Sequence, residues 1–218
     1  MISTCSYSNF NSVLYKSFSI SGNGGRDVMY DGKCYSKLAP KRDFWKVWHD
    51  NIGRIPEEEN TKYYIEQYYT QVLSKLDPEK VYKELDCSTL LCYEDNDSFC
   101  HRFIVSAWFE LLLDIEVPEV KITGLAIEKL EKPEYIKEYL EDIMKKNKNM
   151  RGFQSLRALY LFEKSEELEQ NALEIEETSR ENADALRQVA CYYRCDADEA
   201  EDKYKENCHQ KLKKYSNN

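Results

Sequence analysis

The chain has 218 residues, with 31 Lys and Arg against 40 Asp and Glu and a formal charge of −9. That length accommodates one large domain or two small ones, with room for a sizeable core. The negative balance argues against nonspecific, charge-driven binding to duplex nucleic acid or an anionic membrane, and 17 Tyr, 8 Phe and 3 Trp exclude a disordered composition.

No window approaches the roughly 18 consecutive apolar residues that a membrane span needs. Met1-Ile2-Ser3-Thr4-Cys5 has neither a basic start nor a long apolar run, so no secretory signal is visible. These features predict a soluble, cytoplasmic protein with no membrane partner. Its 8 cysteines (Cys5, Cys34, Cys87, Cys92, Cys100, Cys191, Cys195 and Cys208) are then expected to be reduced, and most of them to be small buried groups.

Residues 2–7 and 13–20 carry the β-branched and aromatic side chains of strands. A Gly-rich loop, 21–25, follows. Asp31-Gly32 predicts a hairpin turn between 27–30 and 33–35. Residues 42–51 and 57–76 read as helices, the second carrying Tyr63, Tyr64, Ile65, Tyr68, Tyr69, Val72 and Leu73. Residues 88–93 are apolar without alternation, which predicts a strand inside a sheet. Asp97 or Ser98 is placed to cap the next helix, 99–113, whose apolar residues cover nearly its whole circumference, so it should be buried. Residues 117–122 make a last strand. Strands alternating with helices predict an α/β fold, a small and mostly parallel sheet flanked by helices.

Composition changes near residue 125: six of the 7 glycines and four of the 5 prolines precede it. Beyond it, Glu–Lys spacing and Leu/Ile periodicity predict helices at about 133–147, 152–177, 179–194 and 196–214, joined by short polar breaks as in an antiparallel bundle. The predicted organisation is therefore an α/β domain over 1–125 and an all-α extension over 126–218.

The junction from Leu90 to Arg102 gathers Cys92, Glu94, Cys100, His101 and Arg102 between a strand and a helix. Such junctions hold ligands in α/β proteins, because the first N–H groups of the helix are free and its dipole favours an anion. A thiol there ionises more readily. Cys92 is the expected nucleophile, Glu94 or His101 the general acid/base, and Arg102 a bidentate holder of phosphate or carboxylate. The plainer alternative makes both cysteines core filler, Asp97 only a cap, and Arg102 a partner of Glu110.

Leu90-Leu91-Cys92-Tyr93-Glu94 followed by Cys100-His101-Arg102 resembles the signature of the bacterial and phage family catalogued as domain of unknown function 488. Ser3-Thr4-Cys5-Ser6-Tyr7, Ser19-Ile20-Ser21, and Leu38-Ala39-Pro40 with Phe44-Trp45 extend the resemblance over roughly residues 1–122. It implies a compact α/β fold and marks Cys92, Glu94, Cys100, His101 and Arg102 as signature positions, with no established reaction. The chain departs from the family in its Gly22–Gly25 loop, where relatives often carry proline, and in its long helical extension.

Other segments bear on the same site. Ser6 and Tyr7 end the first strand and would share a sheet edge with Cys92 if the two strands are parallel neighbours; their hydroxyls are candidate ligand contacts. Residues 26–54 hold seven Lys and Arg against four acids, an excess suited to one small anion. The run 37–42 within them puts Lys37 and its neighbours beside a rigid proline turn, so Lys37 is a further candidate. Gly22-Asn23-Gly24-Gly25-Arg26 matches no phosphate-loop or dinucleotide fingerprint and reads as a flexible loop. Cys191-x-x-x-Cys195 and Cys208-His209 invite a zinc reading, but a helix from about residue 196 separates Cys195 from Cys208 by about 18 Å, and His49 and His209 read as surface residues.

The expected function is binding of a small phosphate-bearing or nucleotide-like ligand at the 92–102 junction, with Cys100 and Arg102 among its contacts. A nucleotide or nucleic-acid processing reaction is the most natural class. One alternative is a non-enzymatic ligand-sequestering or protein-interaction module, whose helical part would mediate self-association or bind a partner. Another makes Cys92, Cys100 and His101 ligands of a structural metal. The sequence names no cofactor.

Overall fold

A strand of four residues, β1 (Ser3–Ser6), lies at the middle of a 7-stranded sheet. The structure, a computed structural model, describes residues 1–95 and 98–216. β1 pairs in parallel with β5 (Thr89–Cys92), in a register that runs from Ser3↔Thr89 to Ser6↔Cys92, and with β6 (Glu119–Thr123). β3 (Ser17–Ser19) lies outside β5 and β4 (Lys33–Cys34) outside β3, both parallel. β2 (Phe10–Asn11) pairs with β6 in parallel and β7 (Ala126–Leu130) pairs with it antiparallel. The fold is the expected α/β arrangement with a mostly parallel sheet, flanked by helices and followed by a helical region.

β5 is buried along its whole length, which is why its sequence is apolar without alternation. The helix after it, α4 (His101–Leu113), buries every residue of its first nine and Leu112 as well. Each fully buried Leu or Phe in this layer contributes about 1.5–3 kcal/mol of transfer free energy. α2 (Glu57–Gln71) buries Tyr64, Ile65, Tyr68 and Tyr69, one stripe at helical spacing. The Tyr68 hydroxyl donates to the Leu38 carbonyl at 2.5 Å, so its polar end is satisfied in the core. α1 (Arg42–Asn51) has the predicted bounds.

Several expectations need correction. The Asp31-Gly32 hairpin does not form: Arg26–Val28 is a single 3-10 turn, and β4 pairs with β3 in parallel. Tyr30 turns inward instead, its ring 5.5 Å from Tyr7 and its hydroxyl bonded to Ser17, so packing against the sheet replaces hairpin pairing. The helix expected over 57–76 ends at Gln71, and α3 (Pro78–Glu84) follows, started by Asp77, whose carboxylate accepts from the N–H groups of Glu79 and Lys80. Asp97, one of the two expected caps of α4, lies outside the described residues. The other, Ser98, is not at the N-cap position, which Cys100 occupies.

The composition break near 125 is also not the break in packing. The chain divides into Met1–Lys146 and Asn147–Asn218. β7 extends the sheet beyond residue 125, and α5 (Tyr135–Asn147), with Ile136, Leu140 and Met144 buried, falls almost wholly in the first unit. The second unit is a helical pair, α6 (Leu156–Ile175) and α7 (Arg180–Ser216). The break expected at 195–196 is absent because nothing there interrupts a helix, and α7 runs 37 residues, about 55 Å. Ala183, Ala190 and Ala197 recur every seventh residue and are fully buried, forming a small-residue seam between the two helices. Among the described residues no helix is long and apolar enough to cross a membrane.

Candidate functional site

Parallel strands β3 and β5 end side by side, and the loops that leave their carboxyl ends form a pocket of about 650 Å³. Its buried lining includes Cys92, Cys100 and His101, which are 2 %, 2 % and 6 % exposed. Cys92 is the last residue of β5, Cys100 the N-cap of α4 and His101 the first residue of that helix. One donor atom from each of the three lies within 4.8 Å of the other two. Cys92 Sγ is 3.4 Å from His101 Nδ1 and 3.6 Å from Glu94 Oε2. His101 Nε2 lies 3.0 Å from the Ile20 carbonyl, at the end of β3. A carbonyl only accepts, so Nε2 carries the hydrogen and Nδ1 faces the sulfurs.

These groups set one another's charge. Burial pushes the Cys92 thiol well above its ordinary value, and Cys100 and Glu94 beside it add to the effect. Burial also opposes ionisation of Cys100, but hydrogen bonding from Cys92 and the charges of Arg102 and His101 prevail and hold its pKa well below the ordinary thiol value. Its place at the start of α4 agrees with that direction. Burial disfavours the charged form of His101, yet Cys100, the Ile20 carbonyl and Glu94 together raise its pKa. Burial and the neighbouring Cys100 push Glu94 up to about 7. The more readily ionised thiol is therefore Cys100 and not Cys92, the sulfur expected to be the nucleophile.

Around this polar end stand Trp45 and Trp48 from α1, Tyr64 from α2, and Phe99. Trp48, Tyr64 and Phe99 pack ring to ring, with centroids 5.2–5.7 Å apart. Arg42, at the start of α1, lines the exposed side together with Asn23, Asp27 and Tyr93. No hydrogen bond or ion pair holds the Arg42 guanidinium among the described residues. The Tyr93 hydroxyl bridges Asn23 and Asp27, tying the 21–27 loop to the end of β5.

That loop is built rather than loose. Gly25 has φ +77°, and a Cβ on it would stand 2.7 Å from the Tyr7 ring and 2.9 Å from Tyr30. Gly24 N–H donates to the Ser21 carbonyl and Gly25 N–H to Asn23 Oδ1. The flexible-loop expectation is thus replaced by a turn that forms one side of the pocket.

The other expected site residues separate. β1 and β5 are parallel neighbours with Ser6 opposite Cys92, but the buried Ser6 hydroxyl is used by Ser8 and the Asn9 N–H. Tyr7 stands behind the pocket, its hydroxyl 2.5 Å from Ser19 and 3.0 Å from Ser21. Lys37 is committed to Glu84, at 2.7 and 2.9 Å on the surface, and does not line the pocket. Of the cations in the 37–42 run, Arg42 is the one that lines the pocket. Arg102 is fully buried, with Nε 3.2 Å from both oxygens of Glu119 and Nη1 bonded to the Glu94 carbonyl. It cannot hold a ligand there, and its partner is Glu119 rather than Glu110.

Of the cysteines, only Cys5, Cys92 and Cys100 are buried; Cys34, Cys87, Cys191 and Cys195 are exposed and Cys208 is half-buried. In the continuous α7, Cys195 and Cys208 stand about 20 Å apart along the axis. One metal cannot join them. The aromatic wall was absent from the sequence expectation, although Arg42, Trp45 and Trp48 fall at i, i+3 and i+6 of one helix. The chain matches no protein-family profile, no curated protein and no solved structure.

Proposed function

We propose that the pocket binds a small ligand combining a flat ring with a negative charge, of which a nucleotide is the natural example. The observation that carries this reading is the pairing of an aromatic wall with a guanidinium uncommitted among the described residues. Trp45 and Trp48 line the pocket, and so does Arg42, three residues before Trp45, which no hydrogen bond or ion pair holds among the described residues. Indole faces stack with any nucleobase for about 1–3 kcal/mol per base, and guanidinium binds phosphate bidentately. The volume of about 650 Å³ lies within the range of small-molecule sites. We propose as well that residues 1–122 are related to the domain of unknown function 488 family, whose signature the 90–102 motif resembles.

At the buried end, Cys92, Glu94, Cys100 and His101 bring two thiols, a carboxylate and an imidazole to the pocket lining. If the ligand is processed rather than held, chemistry belongs there, and the reaction class is nucleotide processing. Calorimetry with a nucleoside 5′-monophosphate tests the binding step, with the free nucleoside and inorganic phosphate as comparisons. The monophosphate is expected to bind more tightly than either part, and Arg42→Ala to weaken it about tenfold or more, the scale of one charge-assisted contact. No binding, or binding indifferent to Arg42→Ala, overturns the proposal.

A further inference from the structure

We infer that Cys92 Sγ, Cys100 Sγ and His101 Nδ1 hold one zinc-class ion whose fourth coordination position faces the aromatic pocket. The geometry fits without rearrangement of the backbone. With Zn–S near 2.3 Å and Zn–N near 2.0–2.1 Å, a tetrahedral centre places sulfur and nitrogen about 3.6 Å apart and two sulfurs about 3.8 Å apart. Cys92 Sγ and His101 Nδ1 stand 3.4 Å apart, and all three donors converge within 4.8 Å.

A second observation points the same way. The Ile20 carbonyl takes the hydrogen of His101 Nε2 and leaves Nδ1 for the ion. Backbone carbonyls and carboxylates play this part behind zinc-bound histidines, fixing tautomer and ring orientation. Two thiolates and an imidazole select zinc over magnesium or calcium, which prefer oxygen. The donors sit on the end of a buried strand and the first turn of a buried helix, so little ordering is needed on binding.

Among the described residues three donors converge, which leaves one position for a ligand from the pocket that all three line. Glu94 is not among the converging three, but its Oε2 lies 3.6 Å from Cys92 Sγ, where it accepts a hydrogen bond from a metal-bound water. An open two-cysteine, one-histidine set is that of a zinc which acts on a ligand, whereas a structural zinc is closed by a fourth residue. Metal binding stands apart from the ligand proposal; only the identity of the fourth ligand rests on it.

The test uses the full chain purified under reducing conditions, with elemental analysis after desalting and titration of the metal-free protein with Co²⁺. One zinc per chain is expected, and cobalt should give a thiolate-to-metal charge-transfer band. Cys92→Ser, Cys100→Ser and His101→Ala should each lower affinity by at least about tenfold, while Cys34→Ser and Cys191→Ser leave it unchanged. Should the site variants fail to fold, mass mapping of alkylated wild type decides, with Cys92 and Cys100 protected only when metal is present. Absence of retained metal and of the band, a band that survives all three substitutions, or alkylation of Cys92 and Cys100 indifferent to metal overturns the inference. Arg42→Ala should keep the metal, so a protein that binds zinc but no nucleotide retains this inference and loses only the ligand proposal.

Discussion

Arg102 and Glu119 form an ion pair from which water is wholly excluded: Nη2 lies 3.1 Å from Oε1 and both side chains are 0 % exposed. Arg102 is the second residue of α4 and Glu119 the first of β6, so the pair ties the helix that supplies His101 to the sheet. A buried pair of this kind adds little net stability, but removing one partner strands a charge at a cost of about 3–5 kcal/mol. Glu119→Leu is expected to lose that much in chemical denaturation, and Arg102→Met/Glu119→Leu to recover a large part of it. A single substitution costing under about 1 kcal/mol would contradict the assignment.

Gly25 and Gly22 differ in a way that a single methyl group reveals. Gly25→Ala forces a side chain into φ +77° and against the Tyr7 ring, whereas a Cβ at Gly22 meets nothing within 4 Å. The first substitution is expected to cost about 1–3 kcal/mol and to weaken ligand binding through the displaced loop. The second should be nearly silent in thermal melting. Equal melting temperatures for the two variants would refute the role given to this turn.

Glu110 predicts a signature in pH. Burial opposes its ionised form, yet Lys132 and Lys137, the latter 3.1 Å away, hold its pKa below the ordinary carboxylate value. A depressed folded pKa gives stability that is complete above the unfolded value near pH 4.3 and is lost as pH falls through the folded value. Glu110→Gln should therefore destabilise most at pH 7, with the gap from wild type closing below about pH 4. Denaturation midpoints at pH 7 and pH 3.5 measure it, and a gap independent of pH would contradict this linkage.

In the second unit, the carboxylate of Glu201 on α7 accepts from the N–H groups of Gln154 and Ser155 at 2.8–3.0 Å, immediately before α6. It satisfies donors that the first turn of a helix leaves free and complements the helix dipole. Glu201→Ala is expected to cost about 1–2 kcal/mol, read from the loss of helical circular dichroism on heating. An unchanged melting curve would remove Glu201 from that role.

Residue pattern made the α/β layering legible because burial leaves a direct trace in sequence. β5 is apolar without alternation since both its faces are covered, and α4 is apolar all round for the same reason. The convergence of Cys92, Cys100 and His101 was legible too, because eight residues joining a strand to a helix keep their ends close. Side-chain direction was not. Arg102 lies within a helix buried all round, and its orientation depends on Glu119, seventeen residues further on and brought near only by the sheet. Arg42, Trp45 and Trp48 reach the pocket through tertiary packing of α1, which local pattern does not encode.

The ring-binding pocket is tested most directly by the indole N–H resonances of ¹⁵N-labelled protein during titration with a nucleoside 5′-monophosphate. The chain has 3 Trp. Trp45 and Trp48 line the pocket, while Trp108 is 1 % exposed within α4 and lies outside that lining. With peaks assigned by single Trp→Phe variants, the Trp45 and Trp48 signals should move together and saturate with one ligand per chain, and Trp108 should stay in place. Movement of Trp108 alone, or three stationary peaks at millimolar ligand, would contradict the account.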